Sequence, residues 1–245
     1  MRLIRVEEKG KIDLIPLGDS HAGSIDFDRP KFERTVKWIK QNKDVRVVLM
    51  GDLIDAGLKD SVGGGTFDND TTPEAQINYI IDTLMPIKKQ LWCLLTGNHE
   101  ERVRQRTSID VSKLIAKALG VQYAGPSCFI KAKIGKINYV IYALHGSSGS
   151  LTPSGKLNNV LKAGQYTNSD LTLMGHVHEL MNHTTEYFRV DIGNKQIIQD
   201  KRHYVLTGHF LKYGGYAQHK NMAPGKSGVA KIRLDNKKKD VHISL

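Results

Sequence analysis

Over the first half of the chain, short apolar runs rich in β-branched residues alternate with stretches whose apolar positions recur every three or four residues. Residues 11–17 read as a strand that ends at Gly18-Asp19-Ser20-His21. Residues 30–41 read as a helix, with Pro30 suited to a first turn and Phe32, Val36 and Ile39 on one face. Residues 45–50 form an apolar run broken only by Arg46, as in a strand covered on both faces. Residues 73–84 are patterned as a helix with Ile77, Ile80, Ile81 and Leu84 along one side and Thr72 as its cap. Residues 91–95 are the next strand, and 108–119 a further helix stopped by Gly120.

From Cys128 onward strands dominate. Residues 129–134 and 136–144 pattern as antiparallel strands around Gly135, and a Gly/Ser loop and a helix over 154–162 follow. Strands are expected at 171–174, 184–190, 196–198, 203–206 and 229–234. Lys237-Lys238-Lys239 lies between two such stretches, as a charged hairpin tip. This order predicts one layered α/β domain over residues 1–245, with mixed central sheets flanked by helices. Residues 57–72, which contain Gly63-Gly64-Gly65, and residues 209–228 are long enough to serve as lids or binding loops.

Composition narrows the functional classes. The 245 residues are 40% apolar and 25% charged, enough for a core without staples. Two cysteines, Cys93 and Cys128, exclude a disulfide scaffold or a Cys-rich zinc module; Cys93 reads as a small buried hydrophobe. No apolar run approaches the roughly 18 residues of a membrane span, and Met1-Arg2-Leu3-Ile4-Arg5 has no secretory pattern. A soluble, cytoplasmic protein with no membrane partner is expected. The net charge of +11 fits an anionic partner such as DNA or RNA, or a solubilising surface.

Five polar segments carry the chemistry, most of them at strand ends: Asp19-Ser20-His21, Gly51-Asp52-Leu53-Ile54-Asp55, Gly97-Asn98-His99-Glu100, His145-Gly146 and Gly175-His176-Val177-His178. In α/β sheets, such ends converge on ligands. Five of the ten histidines lie in these segments, a concentration that packing does not explain. Carboxylate, amide oxygen and imidazole suit Mn, Fe, Zn or Co, with Mn favoured and Ni or Mg admissible. Asp19, His21, Asp52, Asn98, His145, His176 and His178 exceed the needs of one tetrahedral site; two divalent metal ions sharing a carboxylate would use them. Glu100 and Glu101 fit the start of a helix. His183, His203, His209, His219 and His242 read as ordinary surface or core residues, with His209 the most suggestive because it follows a strand.

In order and spacing, these segments resemble the calcineurin-like metallophosphoesterase superfamily, whose pattern is D-x-H, GD-x-x-D, GNH-E/D, a lone His and GH-x-H. The lack of decoration resembles bacterial and phage-type members. The resemblance implies a layered α/β sandwich and a binuclear centre. Asp19, His21, Asp52 and His178 would hold one metal; Asp52, Asn98, His145 and His176 the other. A hydroxide between the metals would attack phosphorus without a covalent enzyme intermediate. His99 would protonate the leaving oxygen, with Asp55 orienting it and raising its pKa. Gly51, Gly97 and Gly175 would allow sharp turns off strands.

The phosphoprotein phosphatase branch carries Arg after the second Asp of GD-x-x-D, to hold a monoester dianion. Here Ala56-Gly57 follows Asp55. Arg102 is the nearest substitute anion clamp. Lys212, Tyr213, Tyr216 and Lys220 combine cations and aromatic faces, as in a single-strand groove. A phosphodiesterase or nuclease acting on nucleic acid or nucleotides is therefore expected. The alternatives are a phosphomonoesterase, acting on a phosphoprotein or a small metabolite, and a non-catalytic, metal-stabilised nucleic-acid binding protein.

Overall fold

The computed structural model describes residues 1–58, 69–214, 218 and 225–245. Its strands are β1 (Arg2–Glu8), β2 (Ile12–Leu17), β3 (Val45–Leu49), β4 (Leu91–Leu95), β5 (Gln122–Gly125), β6 (Ser127–Ile134), β7 (Ile137–Leu144), β8 (Leu171–Met174), β9 (Leu180–Asp191), β10 (Gln196–His209), β11 (Gly228–Val229), β12 (Lys231–Leu234) and β13 (Val241–Ser244). The helices are α1 (Arg29–Gln41), α2 (Pro73–Leu84), α3 (Asn98–Thr107), α4 (Val111–Leu119) and α5 (Pro153–Gln165).

The strands form two mixed sheets. One runs β13-β12-β2-β3-β4-β5 and is parallel from β2 to β5. The other runs β1-β6-β7-β8-β10-β11, with β9 paired to β10. The period-two alternation of strand residues splits the core into layers. In β2 and β3, Leu14 and Val48 face the other sheet and pack with Ile130, Ile141, Leu173 and Val205. Ile15, Leu17, Val47 and Leu49 face the helices and pack with Phe32, Val36, Ile80 and Ile115. Outside the second sheet, α5 places Val160 against Met174, Tyr204 and Leu206. The architecture is therefore helices, sheet, sheet, helix, and strands covered on both faces read as the largely apolar runs seen in the sequence.

Asp28 and Thr72 cap α1 and α2 through their side chains. The expected helix over 108–119 is instead α4, capped by Asp110, preceded by α3; Ser108 ends α3 in a left-handed conformation (φ 62°). The strands expected at 196–198 and 203–206 are one strand, β10, whose outer half stands in solvent with β9. The strand expected at 229–234 is broken at Ala230 into β11 and β12. The lysine run is the tip of the β12–β13 hairpin, where Asp235 Oδ1 accepts the main-chain N–H groups of Lys237 and Lys238. No helix among the described residues is long and apolar enough to cross a membrane.

Candidate metal centre

The five segments leave strands of both sheets at their carboxyl ends. Asp19 and His21 follow β2, Asp52 and Asp55 follow β3, and Asn98 and His99 open α3 after β4. His145 follows β7, and His176 and His178 follow β8. Asp19, His21, Asp52, His176 and His178 all have left-handed backbones, with φ between 47° and 68°. For residues other than glycine this conformation costs of order 1–3 kcal/mol each and concentrates where function demands it. Of the three motif glycines, only Gly51 has positive φ (87°). Gly97 and Gly175 serve close approach: a Cβ there would lie 2.1 Å from Asp52 Oδ1 and 2.7 Å from Asp19 Oδ2.

The donor atoms converge. Asp19, His21 and His178 offer three donors within 4.8 Å of one another, and Asp52, His145 and His176 offer three more. Asp52 lies between these groups, with Oδ2 3.8 Å from His21 Nε2 and 3.2 Å from His145 Nε2. Asn98 Oδ1 stands 3.1 Å from His145 Nε2 and 2.7 Å from His176 Nδ1. His21 Nε2 and His178 Nε2 face each other at 3.0 Å. His145 Nδ1 donates to the Met50 carbonyl at 2.9 Å, so Nε2, the nitrogen facing Asp52 and Asn98, is the one a metal would take in exchange for its proton. Asp19 also accepts the main-chain N–H of His176 at 3.0 Å, tying the two sheets together at the site.

Asp19 and Asp52 are completely buried. Among the described residues their ion-pair partners are histidines. Burial pushes both carboxyls up, but neighbouring imidazoles outweigh it and hold both below the usual range. Burial opposes charge on His21 and His145 as well, yet Asp55 and Asp52 bring these rings to about 9 and about 10. Two buried carboxylates ringed by imidazoles form a donor set suited to divalent cations, which would supply the charge that protonated rings supply without them.

His99 approaches the same cluster. Its ring meets that of His21 edge-on at 4.4 Å, and it shares a donor group with His21 and Asp52. Its Nδ1 lies 2.6 Å from the Asp55 carbonyl, 2.5 Å from Arg102 Nη2 and 3.4 Å from Asp55 Oδ1. The Asp55 carboxylate instead engages His21 Nδ1 at 3.1 Å and accepts from Asn69 Nδ2 at 2.7 Å. The expected rise in the His99 pKa is therefore not met: burial, reinforced by the charges of His21 and Arg102, lowers it to about 4 against the pull of Asp52 and Asp55.

Several contributors were not legible as such. Glu100 is buried and its carboxylate accepts four main-chain N–H groups, those of Asp52, Leu53, Ile54 and Gly97. Burial and the Asp52 charge raise its pKa to about 7. Its residue type at the third position of a helix pointed to the turn but not to the clamp. Gln76 accepts from Ala56 N and donates to Asn69 Oδ1, supporting the Asn69 contact to Asp55. His209 is buried and stacks on His178 at 5.4 Å, and its Nδ1 accepts the Leu211 N–H. Its place after β10 was the one signal available. His203 instead meets Thr184 Oγ1. Lys212 and Tyr213 are exposed, while Tyr216, Lys220, His219 and Gly63-Gly64-Gly65 lie outside the described residues.

Comparison with known proteins adds the family. No protein of curated function matches the chain. Solved structures similar to it include a Vps29 double mutant from Entamoeba histolytica, at 12% identity over 95% of this chain and 90% of that one, with a TM-score of 0.47. A conserved protein and predicted phosphoesterase from Streptococcus pneumoniae is similar at 13% identity over 95% and 88% of the two chains, with a TM-score of 0.42. Wild-type Vps29 of Entamoeba histolytica complexed with zinc is similar at 14% identity over 95% and 97%, with a TM-score of 0.42. The profile of the calcineurin-like phosphoesterases matches residues 14–241, from within β2 to the first residue of β13 and across all five segments, and the chain belongs to that family.

Proposed function

We propose that this chain is a binuclear metal-dependent phosphodiesterase acting on nucleic acid or nucleotides. The observation that carries the reading is the convergence of six further oxygen and nitrogen donors, from strand ends of both sheets, around the buried Asp52 carboxylate. Asp19, His21, Asp52 and His178 would hold one ion, and Asp52, Asn98, His145 and His176 the other. Divalent ions there would supply Lewis acidity and an ionised water at neutral pH.

The chain's own residues supply the rest. Arg102 Nη2 donates to the Asp55 carbonyl at 3.2 Å and stands against His99 Nδ1. With Nδ1 held between this guanidinium and the Asp55 carbonyl, Nε2 is the ring nitrogen left to meet a leaving oxygen. Arg102 Nε is buried with no partner among the described residues. The diester preference is supported by Ala56, which is buried and whose N–H is taken by Gln76. That position carries no guanidinium for the second charge of a monoester. The net charge of +11 suits a polyanion.

The test is hydrolysis of bis(p-nitrophenyl) phosphate against p-nitrophenyl phosphate, with labelled DNA and RNA, in Mn and in EDTA. Higher kcat/KM on the diester, abolished by EDTA, is expected. Preference for the monoester would replace this reading with a phosphomonoesterase.

A further inference from the structure

A cleft of about 520 Å³ opens beside the centre, with Asn98 and His145 at one end and Arg104 of α3, Lys113 of α4, Tyr123 of β5 and Pro126 along its walls. This volume is of the size that takes a small ligand or one unit of a polymer. The Tyr123 hydroxyl accepts from Thr96 Oγ1 at 2.8 Å, and Thr96 directly precedes Gly97-Asn98, so the ring's place is set by the same turn that presents Asn98.

Cations surround that ring. Lys113 Nζ and Arg2 Cζ stand 5.5 Å and 6.0 Å from its centroid, near the outer limit for a cation–π contact. Carboxylates also face the cleft: Glu101 pairs with Arg104, and Asp110 with Lys113. Both pairs are i,i+3 contacts in which the carboxylate is half-buried and the cation exposed, so Arg104 and Lys113 are the partners that a phosphate can reach. Arg104 and Lys113 line the cleft with Glu101 and Asp110, and Arg2 approaches the ring from outside that lining. A phosphate–sugar backbone with an accessible base face fits this combination of aromatic ring and cations. A duplex offers no such face, because its bases are stacked on their neighbours.

We infer that this cleft binds the unpaired nucleic-acid segment flanking the scissile phosphate, with Tyr123 as the stacking surface and Lys113 and Arg104 as phosphate contacts. The inference rests on the phosphodiesterase reading and assigns to that substrate a single-stranded form and a path toward α4.

The test is fluorescence anisotropy of fluorescein-labelled hexathymidylate on the full chain in EDTA, where hydrolysis does not intervene. Tyr123→Leu should weaken binding at least about fivefold, and Tyr123→Phe should stay within about twofold of the parent. Lys113→Gln, on an exposed face where folding is not at stake, should weaken binding and reduce its salt dependence by about one phosphate contact. Lys162→Gln on α5, an equal change of charge elsewhere, should leave binding unchanged. A duplex should compete more weakly than the single strand. Parent-like binding by Tyr123→Leu and Lys113→Gln, equal loss in Lys162→Gln, or better competition by the duplex would overturn the assignment. Failure of the phosphodiesterase reading shows separately, as no turnover of bis(p-nitrophenyl) phosphate with any divalent ion.

Discussion

Glu100 Oε2 accepts the main-chain N–H of Asp52 at 3.0 Å, so the first turn of α3 holds in place the turn that carries the central carboxylate of the site. The same side chain accepts from Leu53, Ile54 and Gly97, which makes it the counter-ion of a small nest of N–H groups. Glu100→Ala leaves these donors unsatisfied in a buried setting and should cost at least about 3 kcal/mol. Urea unfolding of the metal-free protein measures this; a loss below about 1 kcal/mol would show that water replaces the carboxylate without penalty.

Asn69 and Gln76 act on Asp55 from behind. Asn69 Nδ2 donates to Asp55 Oδ2 at 2.7 Å, and Gln76 Nε2 donates to Asn69 Oδ1 at 2.6 Å. Asn69→Ala should lower kcat about 10- to 100-fold, the range typical of outer partners of a metal site. Metal titration alongside kinetics checks the route: an unchanged kcat would mean that Asp55 is held well enough by His21 alone.

His99 stands against Arg102 and also within reach of the donor atoms of His21 and Asp52, so it could serve the leaving group or the metal. His99→Ala should reduce turnover about 10²- to 10⁴-fold while leaving the metal content of the purified protein near the parent's. Elemental analysis decides between the roles, since loss of metal in the variant would make His99 a ligand.

The pH dependence of the metal-free protein has a definite sign. Against the effect of burial, the aspartates hold His21 protonated to about pH 9 and His145 to about pH 10, while unfolded imidazoles release protons near 6.5. Between those values the folded state binds more protons than the unfolded one, so stability falls as pH rises from about 6.5 to 10. Bound metal removes this dependence, because ligating rings are already neutral. Thermal melts in EDTA and in Mn across this range test the difference; parallel slopes would contradict it.

The sheet-forming interior and the site were both legible in the sequence, for one reason. β2, β3, β4 and β8 are covered on both faces and so appear as largely apolar runs, interrupted only by Asp13, Arg46 and Thr172, and the site residues follow where those runs stop. What escaped was structure not specified by burial. In β1 only Ile4 is buried, and the alternation Ile4-Arg5-Val6-Glu7 is too short to mark a strand. The outer halves of β9 and β10 face water on both sides, which hid the continuity of a long hairpin. The break between α3 and α4 relies on a left-handed serine, Ser108, where a glycine would have announced it. At the site, residue types and spacing pointed to the donors. The supports that orient them, the Met50 carbonyl behind His145 and the Glu100 carboxylate beneath Asp52, depend on contacts between distant segments.

The central claim is that Asp52 joins two metal sites. Isothermal titration of the metal-free protein with Mn, for the parent and for Asp52→Asn, tests it most directly. The account predicts two bound ions per parent chain and weakened affinity at both sites in the variant. A parent chain that binds no divalent ion, or an Asp52→Asn chain that binds two with undiminished affinity, would contradict it.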